Sequence, residues 1–167
     1  MPVPDRPVDG AEIATDWGQE IHDRTFAPKG CLLAGAGVTV ADNTFVNLPI
    51  TSAIEDPGGW HDSVNDRAEV PPDAEGLYVF DSLFETDDLD SAASLRCYVY
   101  LNGVGIARQT EQGDDSVQMH VRVSGHVTLA AGDQITTKAK KIGTAGASIS
   151  VALLGISLIR VGAEYGA

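Results

Sequence analysis

The feature that most constrains the fold is the alternation of apolar and polar residues from Cys31 onward. In an alternating segment every second side chain falls on one face, which is the pattern of a strand with one buried side. Turn-forming residues, mainly Gly, Pro, Asn and Asp, separate these segments at short intervals. We therefore expect an all-β sandwich or barrel of roughly nine or ten short strands, and no βαβ units.

Two positions illustrate the pattern. The segment Gly76-Leu-Tyr-Val-Phe80 predicts a strand with Tyr78 and Phe80 on one face and Leu77 and Val79 on the other. Further along, Asn102-Gly103 lies between two alternating segments. Both residue types tolerate positive φ, so this pair predicts a two-residue hairpin turn.

The final apolar run, residues 149–161, is apolar on both faces. One face would carry Ile149, Val151, Leu153, Ser157 and Ile159, and the other would carry Ala152, Leu154, Ile156 and Leu158. An outer strand normally presents polar side chains to solvent, and each exposed Leu or Ile costs about 1.5–3 kcal/mol relative to burial. We therefore expect Leu154, Ile156 and Leu158 to be covered by the same face of other subunits around a symmetry axis. The alternative is that the N-terminal segment folds over this face.

The first 30 residues are predicted to form a separate extended and helical anchor. Ile13, Trp17 and Ile21 recur at four-residue spacing and form one narrow apolar stripe. A short helix with so thin a stripe is marginal alone, so it needs a partner surface. The predicted organisation is an anchor at 1–30, a β domain at 31–162 and a tail at 163–167.

Charge and composition restrict the partners. The net charge is −13, from 24 acidic and 11 basic residues, which disfavours nucleic-acid binding because it repels phosphate backbones. We expect no signal peptide and no membrane segment, since the first residues lack the required pattern and no run of about 18 apolar residues occurs. Cys31 and Cys97 are expected to be two separate buried thiols, with a disulfide as the alternative.

The order of four motifs resembles the trimeric jelly-roll modules of the complement globular head and the tumour necrosis factor superfamily. The matching residues are Pro72, Ala74, Gly76, Tyr78, Phe80, Asn102, Gly103, Leu129, Gly132, Asp133, Ile135, Leu158 and Ile159. The resemblance covers about residues 31–162. It implies a homotrimeric jelly-roll β-sandwich, with Tyr78 and Phe80 in its core and the closing strand near the threefold axis. The collagen-like stem of these modules is not found in this sequence.

The leading segment is similar to the start of minor tail proteins of tailed phages that infect actinobacteria. The matching segments are Pro4–Gly10, Trp17-Gly-Gln and Ile21–Gly30. This resemblance implies a virion protein, assembled in the host cytoplasm, whose residues Ile13, Trp17 and Ile21 dock on other virion proteins. The β domain would then be a knob on the outside of the particle.

No enzyme chemistry is expected. Gly-x-Ser-x-Gly is absent, and His120 and His126 lack the spacing of a metal pair. No catalytic residue and no cofactor site is therefore assigned. The acidic loop with Asp87, Asp88 and Asp90 is the best calcium candidate, against the alternative of a solvated acidic loop.

Surface recognition is the remaining possibility, because loops at one end of a sandwich often carry binding residues. Trp60 and His61 are the candidates for contact with a host glycan or protein; Trp60 could equally plug the end of the sandwich. The predicted function is a phage minor tail or tail-tip protein, a homotrimeric knob with host attachment as a further role. The alternatives are a capsid decoration or head-fibre protein and, further off, a secreted glycan-binding module or a hydrolase.

Overall fold

The computed structural model describes residues 30–87, 89–114, 118–143 and 148–161. All of them lie within one compact unit, Lys29–Glu164. The anchor with Ile13, Trp17 and Ile21, and the tail at 163–167, lie outside the described residues. Their predicted structure and the predicted boundaries therefore stay predictions.

The described residues form twelve strands and no helix. The strands are β1 (Gly30–Gly35), β2 (Val38–Val40), β3 (Phe45–Leu48), β4 (Ile50–Glu55), β5 (His61–Asp62), β6 (Arg67–Glu69), β7 (Gly76–Asp87), β8 (Ser94–Leu101), β9 (Val104–Gln112), β10 (Gln118–Leu129), β11 (Gln134–Ile142) and β12 (Ile149–Arg160). The sequence predicted nine or ten strands, slightly fewer than the structure has, because β5 and β6 are too short and polar to show an apolar–polar alternation.

The strands form two antiparallel sheets, so the predicted all-β jelly-roll sandwich is confirmed. The first sheet has the order β10-β7-β12-β1-β4, with β2 also paired to β12. The second has the order β5-β6-β11-β8-β9, with β3 also paired to β11. Most neighbours within a sheet are distant in sequence, as expected for strands that cross between two packed layers.

The core lies between the two sheets. Tyr78, Phe80 and Phe84 on β7 point into it and are at most 2% exposed, as the alternation predicted. The Tyr78 hydroxyl donates a hydrogen bond to the carbonyl of Ala74 at 2.7 Å. Trp60 packs edge-on against the Tyr78 ring, with a centroid distance of 5.3 Å. The buried phenol is thus both packed and hydrogen-bonded, which removes the cost of burying its polar atom.

Two turns at one end of the second sheet are tied together. Asn102 and Gly103 have φ of 50° and 79°, which confirms the predicted hairpin turn. The Asn102 amide donates to Asp133 at 2.7 Å, and its carbonyl oxygen accepts from the backbone of Gln134 at 2.9 Å. These bonds hold β8 and β11 in register at this end.

The face assignment of the last strand is wrong beyond Leu153. Opposite β7, the register shifts between Leu153 and Gly155, which leaves Leu154 as an extra residue. Such a β-bulge reverses which side each following residue faces. Ile156 and Leu158 therefore continue the inward row, and they are 0% and 1% exposed. Their own subunit covers both side chains, so they need no sister copy to shield them.

Cys31 and Cys97 are both free and buried. This agrees with the interpretation as two separate thiols. Desolvation by burial raises the pKa of both, and the nearby carboxylate of Asp56 adds to the rise for Cys31. Both groups stay protonated at neutral pH, which makes them inert packing residues.

Candidate functional site

The outer face of the first sheet is the most distinctive apolar surface of the described residues. Five large apolar side chains on β7 and β12 point to solvent there, each between 37% and 62% exposed. We call them the apolar strip: Leu77, Val79, Leu83, Leu154 and Ile159. A soluble monomer seldom leaves such a row uncovered on one sheet face.

Strand geometry brings these residues together. On β7 the inward row is Tyr78, Phe80, Ser82 and Phe84, so the odd-numbered residues between them face out. Val79 lies directly opposite Ile159 in the β7–β12 ladder. The bulge places Leu154 beside Gly155, which in turn pairs with Leu83. Two apolar patches thus occur along one face, separated by the row of Asp81 and Ser157.

Two carboxylates on this face, Asp81 and Glu85, each lie beside a side chain of β10. Arg122 on β10 donates two hydrogen bonds of 2.7 Å to the two oxygens of Asp81 on β7. The hydrogen bonds to Asp81 and its charge raise the pKa of Arg122. One row on, His120 Nε2 lies 3.1 Å from Glu85 Oε2. In a chain of net charge −13, Arg122 neutralises Asp81 and so weakens the repulsion at the centre of this face. His120 is charged only when it is protonated, and Asp87 lies exposed at the end of the same row of β7.

Of the three residues predicted to form the trimer interface, only Leu154 lies on this face. Ile156 and Leu158 lie in the core, because the bulge at Leu154 reverses the side that each following residue faces. Sequence reasoning did not assign Leu77, Val79, Leu83 and Ile159 to an interface. The alternation in β7 did predict that Leu77 and Val79 lie opposite the core residues, so the information for two of them was available. The trimer itself stays a prediction.

Trp60 is not available for contact with a receptor. It is 1% exposed and packs on Tyr78, so the alternative in which it plugs the sandwich is the correct one. Its backbone N–H donates to Asp56 Oδ1 at 2.6 Å. The His61 ring is partly buried, and its Nε2 lies 2.9 Å from the carbonyl oxygen of Ile50. The tautomer decides whether this nitrogen donates.

The acidic loop is not a formed metal site among the described residues. No group of three or more His, Cys, Asp or Glu side chains there is arranged to hold a metal ion. Asp90 accepts a hydrogen bond from the backbone of Ala92 at 2.7 Å, which caps a turn. Asp88 lies outside the described residues, so calcium binding with Asp87 and Asp90 stays a prediction. In the described ranges no helix has the length and apolar character to span a membrane.

The fold resembles a known globular head. The globular domain of zebrafish complement 1qA protein superposes with a TM-score of 0.52 at 12% sequence identity. The match covers 82% of this chain and 99% of that domain. No family model and no curated protein sequence matches this chain. At such low identity the likeness establishes a complement 1q-like jelly-roll fold and nothing about function.

Proposed function

We propose that this protein is a homotrimeric structural module of a tailed-phage virion, a minor tail or tail-tip protein whose β domain forms a knob. The anchor at 1–30 attaches it to other virion proteins. The module has no catalytic step; it assembles and presents surfaces. Attachment to a host surface is its second role.

The observation that carries the trimer is the apolar strip. Leu77, Val79, Leu83, Leu154 and Ile159 are exposed on one sheet face, and covering them would remove several apolar side chains from water. At roughly 25 cal/mol per Å² of apolar surface, that is a substantial driving force for association.

A second copy of this chain is the occupant that fits best. At the centre of the same face Arg122 neutralises Asp81, which lies between the two apolar patches. Two acidic chains can approach there without strong repulsion. The resemblance of the sequence to trimeric jelly-roll modules supports a threefold arrangement over a dimer.

The virion assignment has a separate support. It rests on the resemblance of segments between Pro4 and Gly30 to the start of phage minor tail proteins. A capsid decoration or head-fibre protein is the alternative with the same trimer. Imaging of particles labelled on this chain would separate the two, since a label on the head would exclude the tail assignment.

Light scattering on the purified full chain tests the trimer. At micromolar concentration we expect three chain masses. Val79→Asp combined with Ile159→Asp should yield monomers, since an unpaired carboxylate in an apolar contact costs several kcal/mol (on the order of 3 or more).

The matched control is Val64→Asp. Val64 is 88% exposed and lies outside the apolar strip, in the turn between β5 and β6. This variant should keep the trimer mass. A wild-type chain that stays monomeric, or a Val79→Asp and Ile159→Asp chain that remains trimeric while folded, would contradict the proposal.

A further inference from the structure

The outer face of the second sheet has a different chemistry from that of the first. Strands β3, β11, β8 and β9 lie side by side there, and their outward positions are rich in aromatic and basic residues. We call this surface the aromatic–basic face: Phe45, Arg96, Tyr98, Tyr100, Arg108, Lys138 and Lys140.

The ladder register arranges these residues in a checkerboard. Lys140 on β11 lies between Phe45 on β3 and Arg96 on β8. In the next row, Lys138 and Arg108 flank Tyr98 on either side. Phe45 and Tyr98 therefore each have a cation beside them, although the strands come from three separate parts of the sequence: β3, the β8–β9 hairpin and β11.

The rings form a continuous, partly exposed group. The centroids of Phe45 and Tyr98 are 5.4 Å apart, and those of Tyr98 and Tyr100 are 6.0 Å apart. Phe45 is 50% exposed. The ammonium of Lys138 lies 4.6 Å from the Tyr100 centroid, and that of Lys140 lies 4.9 Å from the Phe45 centroid. Cation–π contacts of this kind hold a charged head close to an aromatic surface.

The cations on this face lack acidic partners. Arg96, Arg108, Lys138 and Lys140 make no ion pair with any described residue, whereas Arg67 and Arg122 do. No Asp or Glu occupies the outward positions alongside them on β3, β8, β9 and β11. Four of the eleven basic residues of an acidic chain are thus gathered without neutralisation. This is a local positive surface on a molecule of opposite net charge.

A cleft opens at the edge of this face. Its volume is about 420 Å³, and it is lined by Tyr98, Tyr100, Gly105, Ile106, Ala107 and Arg108. A register shift in the β8–β9 ladder, next to Tyr100, leaves Ile106 as an extra residue. The bulge bends the edge strand and shapes the cleft beside two phenol rings. This recess is largely open to solvent, and its two phenol rings and one guanidinium suit contact with one side of an extended organic anion.

We propose that the aromatic–basic face binds an anionic polysaccharide, a chain of sugar rings that carries carboxylate groups. The C–H faces of sugar rings pack on the Tyr98 ring and on the parts of the Phe45 and Tyr100 rings that Lys140 and Lys138 leave open. The carboxylates pair with the four cations. This proposal rests on the host-attachment role proposed above and specifies the ligand for that role. It does not require that the protein is a trimer.

A nucleic acid is the competing ligand, because stacking rings and cations also suit single strands. The net charge of −13 argues against it. A single-stranded nucleic acid carries one charge on every nucleotide, whereas a glycan such as hyaluronate carries one carboxylate on every second sugar ring. The rest of the molecule therefore repels the nucleic acid more strongly than such a glycan.

Binding of defined polymers to the purified full chain tests the proposal. The probes are polygalacturonate and hyaluronate as uronic-acid polymers, dextran as a neutral polymer, and poly(dT) as a nucleic acid. Calorimetry should show binding to a uronic-acid polymer, none to dextran, and weakening by added salt because the charges are exposed.

Two variant pairs identify the surface. Arg108→Gln with Lys138→Gln removes charge, and Phe45→Leu with Tyr98→Leu removes rings; each should weaken binding by about tenfold or more. The matched control is Gln109→Ala, which lies next to Arg108 on the same strand but on the other side of it. It should bind as the wild type does.

Three results would overturn the proposal: no binding to either uronic-acid polymer, equal binding by both variant pairs when folded, or tighter binding to poly(dT). Light scattering on the same samples keeps the outcomes separate. A trimer that binds no glycan overturns this inference alone, and a monomer that binds glycan overturns the trimer alone.

Discussion

At the scale of single residues, the burial of polar or reactive groups decides what each can do. Cys97 is 0% exposed and Cys31 is 7% exposed. Their buried sulfur atoms take part in packing rather than in chemistry. Trp60 follows the same logic, since a ring that packs on Tyr78 in the core cannot meet a ligand. The sequence favoured buried thiols for the two cysteines but left the burial of Trp60 undecided, because a residue's neighbours in the chain do not determine how deeply it is buried.

The raised pKa of the two thiols predicts a pH effect on stability. Burial holds each folded pKa above the ordinary value of 9.0. Above pH 9 the unfolded thiols therefore lose protons that the folded ones retain, and stability falls as pH rises. At pH 10 the free energy of unfolding is lower by about 1.4 kcal/mol per thiol than it is well below pH 9.

Urea unfolding between pH 8 and pH 10 checks this prediction. The Cys31→Ala and Cys97→Ala double variant should lose less stability over this range than the wild type. Other groups that titrate there act on both proteins alike. Parallel pH profiles of the two proteins would contradict the assignment.

At the scale of secondary-structure elements, the bulge in β12 determines which apolar residues the subunit buries. Leu153 pairs with Phe84, and Gly155 pairs with Leu83, so Leu154 has no partner on β7. The last strand therefore consists of two alternating halves of opposite phase. This arrangement explains most of its two-sided apolar pattern without any partner chain.

Two single-residue deletions test whether the bulge at Leu154 determines which of the following residues of β12 face the core. Deletion of Leu154 leaves a regular ladder with Ile156 and Leu158 still facing inward, so it should cost at most about 1–2 kcal/mol of unfolding free energy. Deletion of Ser157 forces Ile156 or Leu158 out of the core and should cost about 2–5 kcal/mol. Denaturant unfolding of both variants measures the difference. Equal costs would show that the bulge does not set the phase.

At the scale of the whole molecule, the two outer faces of the sandwich have different chemistry. The first sheet presents the apolar strip, with the Asp81–Arg122 ion pair between its two patches, which fits contact between copies. The second presents the aromatic–basic face, with unneutralised cations beside aromatic rings. A trimer built through the first sheet would leave the second face open to a ligand three times over, which multiplies weak binding to a repetitive polymer.

The assembly predicts that stability depends on concentration. A trimer is favoured over unfolded monomers by mass action, so raising the protein concentration about a hundredfold should raise Tm by several degrees. The Val79→Asp and Ile159→Asp chain should show no such shift. Differential scanning calorimetry at two concentrations measures it, and a concentration-independent wild-type Tm would count against the trimer.

The local features of this protein follow from its amino-acid sequence. Alternation predicted the strands and the opposite faces of Tyr78 and Leu77, and Asn102-Gly103 predicted its turn. These features depend on residues within a few positions of each other, where the period of the backbone controls orientation.

Two features depend on how distant strands come together in the fold. The phase of β12 beyond Leu153 depends on its pairing with β7, and the rows of Phe45, Lys140 and Arg96 depend on β3, β11 and β8 coming together. The register between distant strands is set by hydrogen bonds and core packing across the whole sandwich. The alternation within a single strand does not specify this register. Neither the apolar strip nor the aromatic–basic face could therefore be assigned in full from the sequence.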